Sequence, residues 1–383
     1  MAVLLFCSLR SFISRAFIML VLVSVANQGL TQTISSQDDL QLSGQVFLDS
    51  DYYGSFFSED EKNSTSNAAL RQAKVTVKYR PANNWKAKLQ FKYFYEDSRN
   101  EEVEIGDATI AYTGFGWADI TVGKMKEPFS LQRLTGLSDL IGIERSMVTS
   151  ALSPGRSVGV QAGITNKRYT WSLGTFREKI GGDSDQSVTA RATIAPVRNK
   201  RQTLHLGISA SLRDHQNQRF QIKESGEVNT ADNIIRSAKF DAEKSHLVGL
   251  EIAWQYRSLH IQSEFIVTEV EPIEGLDWGY SGYYIQSSFF LTGESRKYKN
   301  GNFKRVIPNT NTGAIEVIAR YSELDIRDNG LGSESSIAMI GINYHWSKDI
   351  KLMANYLSPE ISGNTLHDDG SGDAISVRLQ LRF

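Results

Sequence analysis

Alternation of apolar and polar residues at period two is the dominant pattern along this chain. Over Asn84–Glu96, Trp85, Ala87, Leu89, Phe91, Tyr93 and Tyr95 fall on one face, with Lys86, Lys88, Gln90, Lys92 and Glu96 on the other. Thr203–Arg213 repeats the pattern, setting Leu204, Leu206, Ile208, Ala210 and Leu212 against His205, Ser209, Ser211 and Arg213. The last residues do so again, with Ile375, Val377, Leu379, Leu381 and Phe383 opposed to Ser376, Arg378, Gln380 and Arg382. Segments of about ten residues with this period are the mark of strands that cross a membrane. Beyond residue 26 no apolar run is long enough for a helical span.

About sixteen such strands are predicted, starting near Leu40, Ala68, Asn84, Val103, Gly116, Arg156, Arg168, Gln186, Thr203, His246, Leu259, Tyr280, Gly313, Ser335, Asp349 and Ala374. Short connections (Pro81–Asn83, Thr113–Phe115, Asn166–Lys167, Ser347–Lys348) alternate with long polar ones (Ser50–Asn67, Met125–Gly155, Asp214–Ser245, Ser358–Asp373). An even strand number with short turns at one end and long loops at the other predicts an all-β fold, a 16-stranded antiparallel outer-membrane barrel. Tyr79, Trp85, Tyr112, Trp117, Tyr169, Trp254, Tyr256, Tyr344 and Trp346 sit beside short connections, as an interfacial girdle requires. One long connection, Thr292–Thr312, falls where a short turn is due.

The chain begins with Arg10 and Arg15, then the apolar stretch Ala16–Ala26, ending in Ser24-Val25-Ala26. That order reads as a signal peptide over residues 1–26, too short to span a bilayer. A short periplasmic segment, 27–39, then precedes the barrel, 40–383. The whole chain has 383 residues and a formal charge of −1, which excludes a generally basic nucleic-acid binder. Cys7 lies inside the signal segment, so a processed chain has no disulfide or thiolate chemistry. The six histidines show no metal-ligand spacing, and GxSxG, P-loop and dinucleotide motifs are missing from the sequence. The reading is a channel without enzymatic activity or cofactor.

Inward parity puts several cations in the lumen: Lys74 and Lys78 on one strand, Lys86, Lys88 and Lys92 on the next, and Arg191, Arg213 and Arg378 further along. Lumen cations are commonly paired or solvated, but rings of them select anions. The unexpected connection adds Arg296, Lys297, Lys299, Lys304 and Arg305 against the single acid Glu294.

Several ordered motifs resemble the phosphate- and polyphosphate-selective porins. They are AYTGFGWADITVGK, the stretch VGKMKEPFSLQRLTGLSDLIGIERSMVTSALSPGRSVGVQ (Val122–Gln161), LTGESRKYKNGNFKRVIPN, GAIEVIARYSELDI and the terminal SVRLQLRF. The resemblance implies a homotrimer in the outer membrane of a Gram-negative cell, in contact with lipid, whose third loop folds inward. It also implies an arginine ladder for phosphate or other small anions, and assembly machinery that reads the terminal Phe383. Carried over by position, Arg133 takes the place of a central lysine in the third loop, and Arg71 matches one of a pair of arginines. Gln72 stands where the second would be, and Gln45 replaces a first-strand arginine. Lys86 falls near a basic position, and Arg219 and Lys223 match the basic fifth loop. With the parity residues, the candidate anion site is Arg133, Arg71, Lys74, Lys86, Arg191, Arg213, Arg219 and Lys223. Arg71 has outward parity, so a lumen role requires a local irregularity in its strand. A less selective porin, or a surface receptor using the long loops, are the alternatives.

Overall fold

The structure, a computed structural model, describes residues 40–58, 65–81, 83–96, 100–178, 185–363 and 370–383. The expected signal peptide and the segment 27–39 lie outside them.

Sixteen long antiparallel strands form one closed sheet. They are β1 Leu40–Tyr53, β2 Thr65–Tyr79, β3 Trp85–Glu96, β4 Asn100–Phe115, β5 Ala118–Lys126, β6 Arg156–Thr165, β7 Tyr169–Arg177 and β8 Gln186–Arg198. The second half comprises β9 Gln202–Phe220, β10 Phe240–Tyr256, β11 Leu259–Pro272, β12 Trp278–Phe290, β13 Ala314–Asp325, β14 Ser333–His345, β15 Ile350–Gly363 and β16 Ala374–Arg382. Each pairs with its sequence neighbour, and β1 closes on β16 from Gln45 opposite Arg382 to Tyr53 opposite Ala374. Closure satisfies every edge, which the bilayer demands.

At the seam, Gly44 and Phe383 exchange backbone hydrogen bonds of 2.8 and 3.2 Å. The terminal ring lies so close over Gly44 that a Cβ there would sit 2.0 Å from it. A side chain at position 44 is therefore excluded while the ring keeps its place. Short turns follow local chemistry. Asn199 accepts from the amides of Arg201 and Gln202, and Ser347 Oγ accepts from those of Asp349 and Ile350.

The barrel is inside out relative to a soluble protein. Outward residues such as Leu250, Ile252, Ile340, Ile342 and Leu352 are exposed, whereas inward Glu251, Glu264, Glu316, Arg320, Asn355 and Arg378 are buried. Trp85, Tyr112, Phe115 and Trp117 contact one another in order, tilted or edge-on, beside neighbouring short turns, with centroids 4.9–5.9 Å apart. Tyr283, Tyr321 and Tyr356 lie exposed toward the opposite end, their hydroxyls bonded to Glu323 or Asp373. These tyrosines form a second aromatic level that the sequence reading did not single out.

Two long connections fill part of the lumen. The third loop, residues 127–155, carries the short helices α1 (Leu131–Leu134) and α2 (Met147–Leu152). Ser130 and Ser146 cap them, accepting from the amides of Arg133 and Thr149. Met147, Val148 and Leu152 of α2 pack with Val228, Ile234 and Ile235 of the loop after β9 and with Ile266, Tyr280 and Ile337 of the wall. This apolar plug fixes the loop inside an otherwise polar interior.

Candidate functional site

The third loop lies against one half of the barrel wall, held by inward side chains. Glu264 on β11 accepts from the amides of Leu131 (2.8 Å) and Gln132 (2.7 Å). Asn355 on β15 accepts from the amide of Ile143 at 3.0 Å, and Asn343 and Lys351 donate to the carbonyls of Ile141 and Leu140. Arg378 on β16 donates to the Ile143 carbonyl and forks onto Asp49 of β1. These bonds tie the loop to β11 and β14–β16, and we infer the opening on its side toward β2–β6, where Lys126 of β5 bonds it.

That opening is lined by cations. Arg133 donates through Nε to the Pro154 carbonyl at 2.9 Å, and Arg145 donates to the carbonyls of Gln132 (3.2 Å) and Thr135 (2.9 Å). Lys126, the last residue of β5, donates to the carbonyls of Arg133 and Thr135. Among the described residues none of the three, nor Lys74 on β2, pairs with a carboxylate. Each is half-buried, so its charge is held in place and only partly screened. Burial pushes the Arg133 guanidinium down to about 10 and that of Arg145 to about 9, with Arg156 adding to the effect in both. Both stay charged at neutral pH. Around them Arg156 and Lys88 share Asp107, and Lys92 and Lys124 share Glu104. Among the described residues cations outnumber acids on this side of the lumen.

The long connection after β12 enters from the short-turn end. Its hairpin, Tyr298–Lys299 against Asn302–Phe303, places Phe303 against Leu131 and Ala253. Asn302 accepts from Thr135 Oγ1 at 2.8 Å, and Arg296 bonds Glu316 and the Asp139 carbonyl at 3.2 Å. The connection therefore props the third loop from below. Of its cations, Arg296 is consumed by this role and Arg305 donates to the Lys348 carbonyl. Lys299 and Lys304 make no ion pair among the described residues, and burial lowers the Lys304 ammonium, with Lys299, Lys88 and Lys78 acting the same way.

The eight sequence candidates separate in space. Arg133 and Lys74 belong to the opening. Lys86 is exposed on the inward parity of β3 near its short turn. Arg71 does reach the lumen, where it meets Glu144 of the third loop at 2.8 Å. Beside it Leu70 and Gln72 are buried, as is Thr76, which bonds Gln90. Arg191 and Arg213 face inward but are taken by carboxylates, Arg191 forking onto Glu251 at 2.6 and 2.7 Å and Arg213 meeting Glu127 at 2.9 Å. Arg191 is also covered by the Gly301 carbonyl, which removes it from the opening. Arg219 is exposed and pairs with Asp241 at 3.4 Å, and Lys223 is exposed in the loop after β9. Sequence reasoning missed Lys126, Arg145 and Arg156. In Glu144-Arg145 adjacent opposite charges suggest mutual neutralisation, yet Glu144 turns to Arg71 and Arg378 and leaves Arg145 unpaired.

A closed sixteen-strand barrel, apolar outside and polar inside, with a loop inserted into its lumen, defines an outer-membrane porin. Residues 40–383 match the family of phosphate-selective porins O and P, and the chain belongs to it. It is 23% identical to porin O of Pseudomonas aeruginosa, over 92% of this chain and 90% of that one. Among solved structures it resembles an anion-selective porin from Comamonas acidovorans, with TM-score 0.57 and 11% identity over 90% of this chain and 99% of that one. OmpT of Vibrio cholerae in its trimer form is similar at TM-score 0.54 and 10% identity, over 90% and 99% of the two chains. The protein is an outer-membrane porin of the Gram-negative type.

Proposed function

We propose that this porin is an anion-selective diffusion channel that prefers phosphate, and that it works as a homotrimer. The observation that carries the reading is the set of unpaired, half-buried cations at the opening: Arg133, Arg145, Lys126 and Lys74. A guanidinium whose remaining N–H groups have no carboxylate is a fork suited to phosphate oxygens. Lys78, Lys299 and Lys304 continue the positive field toward the short-turn end, so an anion leaving the opening meets further cations. Binding has to stay weak enough for release, and hydrogen bonds to fixed carbonyls leave Arg133, Arg145 and Lys126 only part of their donor capacity. The pairing of Arg71 with Glu144, together with Gln45 and Gln72, favours a second reading: an anion porin with a weak phosphate site.

Planar-bilayer recording of the purified protein tests both. In a potassium chloride gradient the reversal potential is expected on the anion side, and added phosphate is expected to reduce chloride current. A cation-side or zero reversal potential would refute anion selection. Chloride preference without any phosphate block would establish the second reading.

The trimer rests on family membership and on the exposed apolar outer face. Unheated samples on a gel are expected to run as about three chains, with heat giving one. Chemical cross-linking that yields monomers alone would exclude it. Insertion is proposed to use the assembly machinery of the outer membrane through Phe383, the ring that closes the β1–β16 seam.

A further inference from the structure

We propose that Glu104 on β4 sets how firmly this channel holds an anion, by pairing with Lys92 and Lys124 and so limiting the positive field on the loop-end approach to the opening. This deepens the anion-channel reading above and rests on it.

Strand register places the acid. Val103 and Ile105 are exposed on the outer face, so Glu104 between them points into the lumen. It stands opposite Lys92 of β3, which in turn stands opposite Lys74 of β2. Opposed residues of antiparallel strands lie about 5 Å apart at Cα, so Lys74, Lys92 and Glu104 form one row across three strands. Lys92 Nζ meets Glu104 Oε2 at 2.8 Å, and Lys124 Nζ of β5 meets Oε1 at 3.5 Å. The next row toward the short turns is held by Asp107, which takes Lys88 and Arg156. Arg156 follows Gly155, where a Cβ would lie 3.3 Å from Arg133 Nη2. Glu104 is thus one row from the acid whose partner adjoins Arg133.

This group sets three cations, Lys74, Lys92 and Lys124, against one carboxylate. Lys92 is buried, whereas the Glu104 side chain keeps 34% of its exposure, so the carboxylate faces the water through which ions pass. With that charge removed, the approach gains one net positive charge in a confined lumen, where fixed charges act more strongly than in bulk water. An anion is then held more firmly and leaves more slowly. Lys92 Nζ also lies 5.6 Å from the Phe94 ring, a contact that it keeps when Glu104 is neutralised.

Planar-bilayer recording at low and high salt tests this. Glu104→Gln is expected to tighten phosphate block of chloride current roughly fivefold at about 0.1 M potassium chloride, and to raise the anion-to-cation permeability ratio. At about 1 M most of that gain should vanish, because the screening length falls from about 10 Å to about 3 Å. Glu104→Asp should behave like the unmodified porin. Cys7 is the sole cysteine of the sequence and lies in the expected signal segment, so Glu104→Cys supplies a single thiol for charge replacement in the folded channel. A sulfonate-bearing thiosulfonate reagent should return block to its unmodified strength, and an ammonium-bearing one should tighten it beyond Glu104→Gln. Block that is unchanged or weaker in Glu104→Gln at low salt overturns the inference, as does a gain equal at both salts or an identical effect of the two reagents. Each of these leaves the channel reading intact as long as the unmodified porin prefers anions. No anion preference in the unmodified porin or in Glu104→Gln overturns both.

Discussion

Replacing Arg133 by alanine is expected to weaken phosphate block of chloride current about tenfold, equivalent to about 1.4 kcal/mol, the scale of one charge-assisted contact. Adding Arg145→Ala should then bring the anion-to-cation permeability ratio close to one. Both side chains anchor on carbonyl oxygens of the third loop and its junction with β6, so charge removal must be separated from loop disorder. Arg145→Lys serves here: it keeps the charge while losing the fork, and should retain anion preference with weaker phosphate block. Arg219→Ala is the control, because Arg219 is exposed at the loop end of β9 and paired at 3.4 Å with Asp241. It should leave block and selectivity unchanged. The two losses need not add, since Arg133 and Arg145 act on each other's charge. Unaltered phosphate block in Arg133→Ala would remove this residue from the site.

The strands were legible because their signal is local. A period of two over ten residues is written in each segment, and the starts expected near Leu40, Arg156, Gln186, Leu259 and Ala374 coincide with those observed. Inward direction was legible for the same reason, and Arg191, Arg213 and Arg378 do face the lumen. What parity does not carry is the partner. Arg191 meets Glu251 sixty positions away and Arg378 meets Asp49 across the closure seam, so a buried ion pair and a free anion-binding cation have the same alternation in sequence. Arg71 shows the converse. Its parity points outward, yet its guanidinium meets Glu144 of the third loop. The inverted connection after β12 announced itself only by length. Its burial depends on Phe303 and Asn302 meeting the third loop, a contact between segments more than 150 residues apart.

Arg378→Ala is expected to destabilise the barrel most and to loosen the pore at once. Arg378 is fully buried and ties three things together: Asp49 of β1 through 2.6 Å from Nε, Glu144 of the third loop, and the Ile143 carbonyl beside it. Removing the guanidinium leaves Asp49 buried without its cation and strips Glu144 of one of two. Breaking a buried pair from one side costs about 3–5 kcal/mol, which should lower the midpoint of heat-induced unfolding on a gel by on the order of 5–10 °C. Burial alone would raise the Glu144 carboxyl, but Arg71 and Arg378 outweigh it and hold it well below the usual carboxylate range. Because its folded value is depressed, Glu144 contributes stability that is present above the ordinary carboxylate pKa. That stability is lost as pH falls toward the folded value. The unmodified latch should therefore outlast mild acid, whereas in Arg378→Ala the remaining Arg71 pair is weaker protection and loop release should begin at higher pH. With the Arg378 bond to Ile143 gone, the stretch between α1 and α2 keeps only the bonds of Asn355, Asn343 and Lys351, and bilayer recordings should show noisier current with altered single-channel conductance at neutral pH. Asp49→Asn removes the β1 charge but keeps Arg378 on Glu144 and Ile143, so it should lower the unfolding midpoint less and leave the current quiet. If Arg378→Ala unfolds at the unmodified midpoint with unchanged conductance, the buried fork is not what holds the third loop to the wall.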